Sequence, residues 1–301
     1  MKTEDLLRGA YDLHIHAQPD VIQRAQDLPS LAKTAAQAGM AGLLIKDHTT
    51  STVGRCYTMN RALDRGPRFF SSLALNPPVG DLNPSAVESA LRAGTDVIFF
   101  PTYGAAHHIT RWGAGKPPTA FPLPNDGYTG ISILDENSRI RSECDVILRM
   151  IAAHDAVLGT GHLSVPETLA LLRSASHFGV RRMLVNHVTE SVIAMAIEEQ
   201  REAVRLGAFI EHSFFALTAS CPQSVPLNLM CEQIRQVGVD HLILTSDFGQ
   251  VANPPPVEGF AFYLDKMRAQ GFSTVELRVM THDNPEKLIC GRAASPALFS
   301  H

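Results

Sequence analysis

The chain has 301 residues, 45% hydrophobic and 19% charged, a balance that can fill a large core and excludes a disordered chain, a collagen-like repeat and a coiled coil. A formal net charge of −4 gives no sign of a nucleic-acid partner, and five cysteines without CxxC spacing indicate reduced thiols. No apolar stretch of about 18 residues and no export signal is legible, so the expected setting is cytoplasmic, with no membrane contact.

Short apolar runs that end in polar residues recur along the chain. In order they are AYDLHIH (10–16), GLLIKD (42–47), FFSSLAL (69–75), DVIFFPT (96–102), AVLGTGH (156–162), RMLVNH (182–187), AFIEHS (208–213) and HLILTSD (241–247). Near-continuous Val, Ile, Leu and Phe is the pattern of parallel strands covered on both faces. Between the runs lie helical patterns. One opens at Asn83-Pro84-Ser85 and closes at Gly94, a second runs from Ser164 to Gly179, and a third from Thr189 to Gly207. Eight strand–helix alternations predict a single domain over 1–301, a (β/α)8 TIM barrel with an insertion after the fourth strand. No GxGxxG follows the first run, which disfavours a doubly wound sheet. The insertion, HHITRWGAGKPPTAFPLPNDGYTG (107–130) followed by a hairpin-like segment over 130–140, is too rich in Pro and Gly for a helix. Its length predicts a flap over the barrel mouth.

In such a barrel the strand C-termini converge on one mouth. His14 and His16 end the first run, with Asp12 two residues earlier, and alternation puts them on one face. Lys46 and His48 end the second run, His162 the fifth, His187 the sixth, Glu211 and His212 the seventh, and Asp247 the eighth. Imidazoles from His14, His16, His162 and His187 with the Asp247 carboxylate suit a divalent metal, Zn²⁺ first and Mn²⁺ or a similar ion second. An open position on that ion would acidify a water, and Asp247 is placed to take its proton.

These motifs resemble the amidohydrolase superfamily of metal-dependent hydrolases. DLHIH, GTGHLS, VNH and TSD fall on the first, fifth, sixth and eighth runs, and DNPEKLI (283–289) closes the chain. The resemblance implies metal binding by His14, His16, His162, His187 and Asp247, with Asp247 also the proton acceptor. The pattern departs from the binuclear members at the fourth run, DVIFFPTYG, which offers no lysine or carboxylate to bridge two ions at the strand end. One metal is therefore expected.

The implied function is hydrolysis of an amide, ester or lactone in a small molecule by a metal-activated water, with His187 steadying the oxyanion. The alternatives are a metal-dependent decarboxylase and a non-catalytic metal or small-molecule binding protein. Arg24, whose planar fork matches a carboxylate, Lys46 and His212 are the expected substrate-binding residues, and the substrate could be anionic. A homo-oligomer is compatible with the sequence. A buried Lys46 would pair with Asp12 or Asp47, be neutralised by a depressed pKa, or become an anionic ligand by carboxylation, and a positively charged role in substrate binding or charge pairing is the first expectation. His107, His108 and Arg111 are expected as solvated loop residues, and His154, His177, His241, His282 and His301 as surface residues.

Overall fold

The computed structural model of the protein describes residues 3–113, 123 and 127–291. All eight apolar runs are strands. The third is split at Ser71, so the labels are β1 (Tyr11–Ile15), β2 (Gly42–Ile45), β3 (Arg68–Phe70), β4 (Ser72–Ala74), β5 (Val97–Phe99), β6 (Val157–Gly159), β7 (Met183–Val185), β8 (Ala208–Ser213) and β9 (Leu242–Thr245). Every pairing is parallel, in the orders β1-β2-β3 and β4-β5-β6-β7-β8-β9. The last run returns to the first: Asp247 N donates to His14 O at 2.9 Å and His16 N donates to Phe248 O at 2.8 Å. The (β/α)8 barrel follows from these bonds and from the continuity of β3 with β4 through Ser71.

Alternation divides the core in two. Tyr11, Leu44, Phe99, Val157, Leu184 and Ile243 fill the barrel interior, where Leu288 and Ile289 of the final helix plug the bottom. Their neighbours Leu43, Ile98, Leu158, Val185 and Leu244 face the surrounding helices. Each fully buried side chain of this kind contributes ~1.5–3 kcal/mol of transfer free energy, which fixes the strand register and with it the residues that emerge at the mouth. In β1 the register slips: Asp12 pairs with Leu43 but Ile15 with Ile45, so one extra residue is accommodated on β1. Leu13 can therefore pack in the interior while His16 still reaches the mouth, with His14 buried beneath it. Asp12, expected to share their face, instead accepts hydrogen bonds from His14 N and Ser246 N at 3.3 and 3.1 Å.

The helix signals act as expected at two of the three positions. Asn83 caps Pro84–Arg92, and Ser164 forms a capping box with Glu167 at the start of Val165–His177. The third helix does not begin at Thr189. Residues 188–193 form turns, 194–196 are irregular, and the helix spans Ile197–Arg205. The insertion also departs from expectation, since Ala106–Trp112 is helical. The hairpin is present as an antiparallel bridge between Leu134 and Ile140. His282 is buried, with Nε2 2.9 Å from Arg8 O, so it is no surface residue. His301 and part of the expected flap lie outside the described residues. Among the described residues no helix is long and apolar enough to cross a membrane.

Candidate metal centre

The C-terminal mouth holds a cavity of about 470 Å³ lined by His16, Lys46, His48, His162, His187 and Asp247, among others. His14 lies beneath it, fully buried. His14 Nε2 and His16 Nε2 approach one oxygen, Asp247 Oδ1, at 3.2 and 3.1 Å. Only His16 Nε2 has hydrogen-bond geometry toward it; His14 Nε2 and His16 Nδ1 are buried without a hydrogen-bond partner. Two imidazoles from one strand aimed at one carboxylate oxygen, one of them otherwise orphaned, fit a divalent cation.

Carboxylates behind the histidines set their orientation. His14 Nδ1 lies 2.6 Å from Glu211 Oε1, which leaves Nε2 for the Asp247 side. Glu211 is fully buried and further accepts from Asn186 Nδ2 at 2.7 Å and Thr245 Oγ1 at 2.8 Å. His187 Nδ1 lies 2.7 Å from Glu190 Oε1, and Ser213 Oγ donates to that same oxygen. A carboxylate on Nδ1 with Nε2 directed outward is the usual support for a metal-binding histidine. Among the described residues three groups have ligand atoms within 4.8 Å of one another: His14, His16 and Asp247; His14, His187 and Glu211; and His187, Glu190 and Asp247.

Burial governs the protonation of these groups. It lowers His14 to about 3, with Lys46 acting in the same direction, and holds His16 and His162 well below the ordinary histidine range. All three are thus neutral and have lone pairs to offer. Burial would also lower His187, but Glu190 and Glu211 outweigh it and lift the ring to about 9. A cation bound at His187 must displace that proton. Burial would raise Glu211, yet His14 and His187 hold it well below the usual carboxylate range. Asp247 is raised to about 8, chiefly by burial and against the pull of His187.

Backbone geometry is specialised at the same point. His187 and Asp247 have φ of 60° and 52°, left-handed values that cost a non-glycine residue ~1–3 kcal/mol. Gly161 and Gly249 permit close approach beside the histidines. A Cβ at Gly161 would lie 2.3 Å from Phe100 O, and one at Gly249 2.1 Å from His16 O.

The expected site residues are not all equivalent in place. His14, His16, His187 and Asp247 converge. His162 lines the cavity but belongs to none of the three close groups; its Nδ1 lies 2.7 Å from His108 Nδ1, and the two rings stack at 4.9 Å. Lys46 and Arg24 line the cavity. His212 is not brought to it: alternation on β8 turns Glu211 inward and His212 outward, where Nδ1 meets Thr189 Oγ1 at 2.6 Å. Lys46 pairs with neither expected partner. Asp47 is taken by Arg55 and Thr49; Lys46 Nζ has no hydrogen-bond partner, lies 4.8 Å from the centre of the Phe99 ring, and is drawn electrostatically by Asp247, Glu211 and Glu190. His108, expected in solvent, is fully buried.

Sequence reasoning gave Glu190 and Glu211 no role. Glu211 could have been found as the one acid on the inward phase of AFIEHS, and Glu190 as the carboxylate three residues after His187.

The described part of the insertion lies at the mouth. Tyr103, His108 and Trp112 line the cavity, and Trp112 Nε1 donates to Ser191 Oγ at 3.0 Å, which ties the helix to the loop carrying Glu190. Trp112 is the only tryptophan and is 8% exposed. Filling the cavity should therefore change its emission. Titration with Zn²⁺ and then with a competitive ligand checks this, and an unchanged spectrum with bound ligand would separate the insertion from the site.

A family model described as a family of unknown function (DUF6282) matches residues 9–211, which include every cluster residue except Asp247. No curated protein matches the chain. Among solved structures, an amidohydrolase from Pseudomonas aeruginosa is similar at 10% identity and TM-score 0.62, covering 97% of this chain and 100% of that one. A lactonase from Listeria monocytogenes is similar at 11% identity and TM-score 0.60, covering 97% of each. An organophosphorus hydrolase from Deinococcus radiodurans is similar at 12% identity and TM-score 0.57, covering 96% of this chain and 94% of that one. At these identities the likeness establishes the fold: the barrel of amidohydrolase-type enzymes, as the strand-end motifs led us to expect.

Proposed function

We propose, for a chain that belongs to the family of unknown function DUF6282, that it is a metal-dependent hydrolase acting on a small molecule. The observation that carries this reading is the convergence of His14 Nε2 and His16 Nε2 on Asp247 Oδ1 at the mouth of this barrel. His14, His16 and Asp247 would hold a divalent cation, Zn²⁺ being the best match to two imidazoles and a carboxylate, with His187 and His162 the further ligands expected from across the barrel. When bound, the cation would supply Lewis acidity toward a carbonyl and lower the pKa of a water. With Asp247 Oδ1 facing His14 Nε2 and His16 Nε2, Oδ2 would take the water's proton and later return it to the leaving group. His187, protonated by its contact with Glu190, steadies the oxyanion in substrate complexes where it is not a ligand. Glu211 keeps His14 in the tautomer with Nε2 free. Lys46 and Arg24 bind substrate.

The bond cleaved is an amide, ester or lactone. The hydrolases of the same fold support hydrolysis over decarboxylation. The test is elemental analysis of the purified protein followed by an ester, lactone and amide screen. About one Zn²⁺ or Mn²⁺ per chain is expected, and a chelator should abolish turnover that the same ion restores. A protein that hydrolyses substrates equally well after complete removal of metal would overturn this reading.

A further inference from the structure

Arg24 lies on the loop after β1. Its backbone bridges to Gln250 and Ala25 N donates to Gly249 O at 2.8 Å, which fixes the loop against the segment after β9. The Arg24 side chain is 3% exposed. Asp20 Oδ2 accepts from Nε at 2.7 Å, but Nη2 is buried with no hydrogen-bond partner. Lys46 is 1% exposed, and its Nζ is likewise without a hydrogen-bond partner. Both residues line the same cavity. A buried cationic donor left unpaired is costly, and two on one cavity wall are hard to explain by packing alone.

The rest of the wall is of another kind. Ile22, Tyr103, Trp112, Phe215 and Val251 give the cavity an apolar side, and its volume of about 470 Å³ has room for a compact ring or a short chain rather than a bare ion. Of the acids whose charge acts on Lys46, Asp247 is engaged by His16, Glu211 by His14 and Asn186, and Glu190 by His187 and Ser213; none hydrogen-bonds Lys46 Nζ or Arg24 Nη2, which leaves a ligand anion to partner these two donors.

We infer that Arg24 Nη2 and Lys46 Nζ form an anion subsite, and that the substrate is an apolar compound carrying a free carboxylate in addition to the bond that is cleaved. Guanidinium supplies the directional contact and ammonium a point charge behind it. This deepens the hydrolase reading and rests on it for the cleaved bond, but the subsite is measurable by binding alone.

The probes are benzoate and benzamide, which share a shape and differ in charge, titrated calorimetrically into the metal-loaded protein. Benzoate should bind about tenfold tighter or better, the effect of one charge-assisted contact. Arg24→Met should remove most of that preference, Lys46→Met should reduce it, and Arg24→Lys should restore part of it. Because Arg24→Met leaves Asp20 buried without its partner, the double variant Asp20→Asn/Arg24→Met repeats the test with that charge removed. A full benzoate preference in the double variant would mean that the carboxylate goes to the metal and would overturn the subsite. So would equal binding of the two probes by the wild type, or a mass spectrum of the native protein with a carboxyl group added on Lys46. Metal-dependent hydrolysis of neutral esters without any benzoate preference would sink this inference and leave the hydrolase standing. A benzoate preference lost in Arg24→Met, in a protein with no metal-dependent hydrolysis, would do the reverse.

Discussion

Asp247→Asn is expected to lower turnover by ~10²-fold or more while much of the metal remains bound. The substitution keeps the size of the side chain and the oxygen that His14 Nε2 and His16 Nε2 approach at 3.2 and 3.1 Å. What it removes is the ability to accept a proton. Burial raises the Asp247 carboxyl to about 8, against the pull of His187 and Lys46. Burial thus favours the protonated form of this carboxyl, and a bound cation would oppose it, so Asp247 can take a proton from water without holding it too tightly to return it. The measurement is kcat together with metal content on whichever substrate the ester, lactone and amide screen yields. Near-native turnover would move the base elsewhere, Glu190 being the next carboxylate on the cavity wall. Metal lost in proportion to activity would make Asp247 a ligand first and a base second.

The fold was legible because each strand is a contiguous run whose two faces are both buried, and such runs announce themselves without long-range information. The mouth was legible for a related reason: strand ends in a parallel barrel all point one way, so His14, His16, His187 and Asp247 could be brought together by counting strands. What escaped notice depends on contacts between distant segments. Glu211 turns inward because Phe209 on the same phase packs against the barrel interior, and only that packing distinguishes it from the neighbouring His212. Glu190 lies in turns that carry helix-like composition, and it meets His187 because His187 adopts a left-handed backbone that no pattern of residue types specifies. His108 resides in a polar segment, and its burial arises from stacking on His162, 54 residues away.

Replacing His14 and His16 together by alanine should reduce bound metal from about one ion per chain to background and lower the melting temperature. The reason is linkage. An ion present at ~1,000 times its Kd stabilises the folded chain by ~4 kcal/mol, which for a chain of this size corresponds to a fall of roughly 5–10 °C when binding is lost. Lost packing and a lost hydrogen bond would also lower the melting temperature, because His14 Nδ1 holds Glu211 Oε1 at 2.6 Å and the two rings sit 5.5 Å apart. Glu211 keeps Asn186 and Thr245 as donors in the variant, so it is not left bare. The two causes separate by comparison with wild-type protein stripped by a chelator. If the metal accounts for the stability, the stripped wild type melts close to the double variant, and adding Zn²⁺ raises the melting temperature of the wild type alone. If the stripped wild type keeps its full melting temperature while the variant falls, the histidines act on packing rather than through an ion. Full metal occupancy in the double variant would place the ion away from β1 altogether and remove the basis for the centre described above.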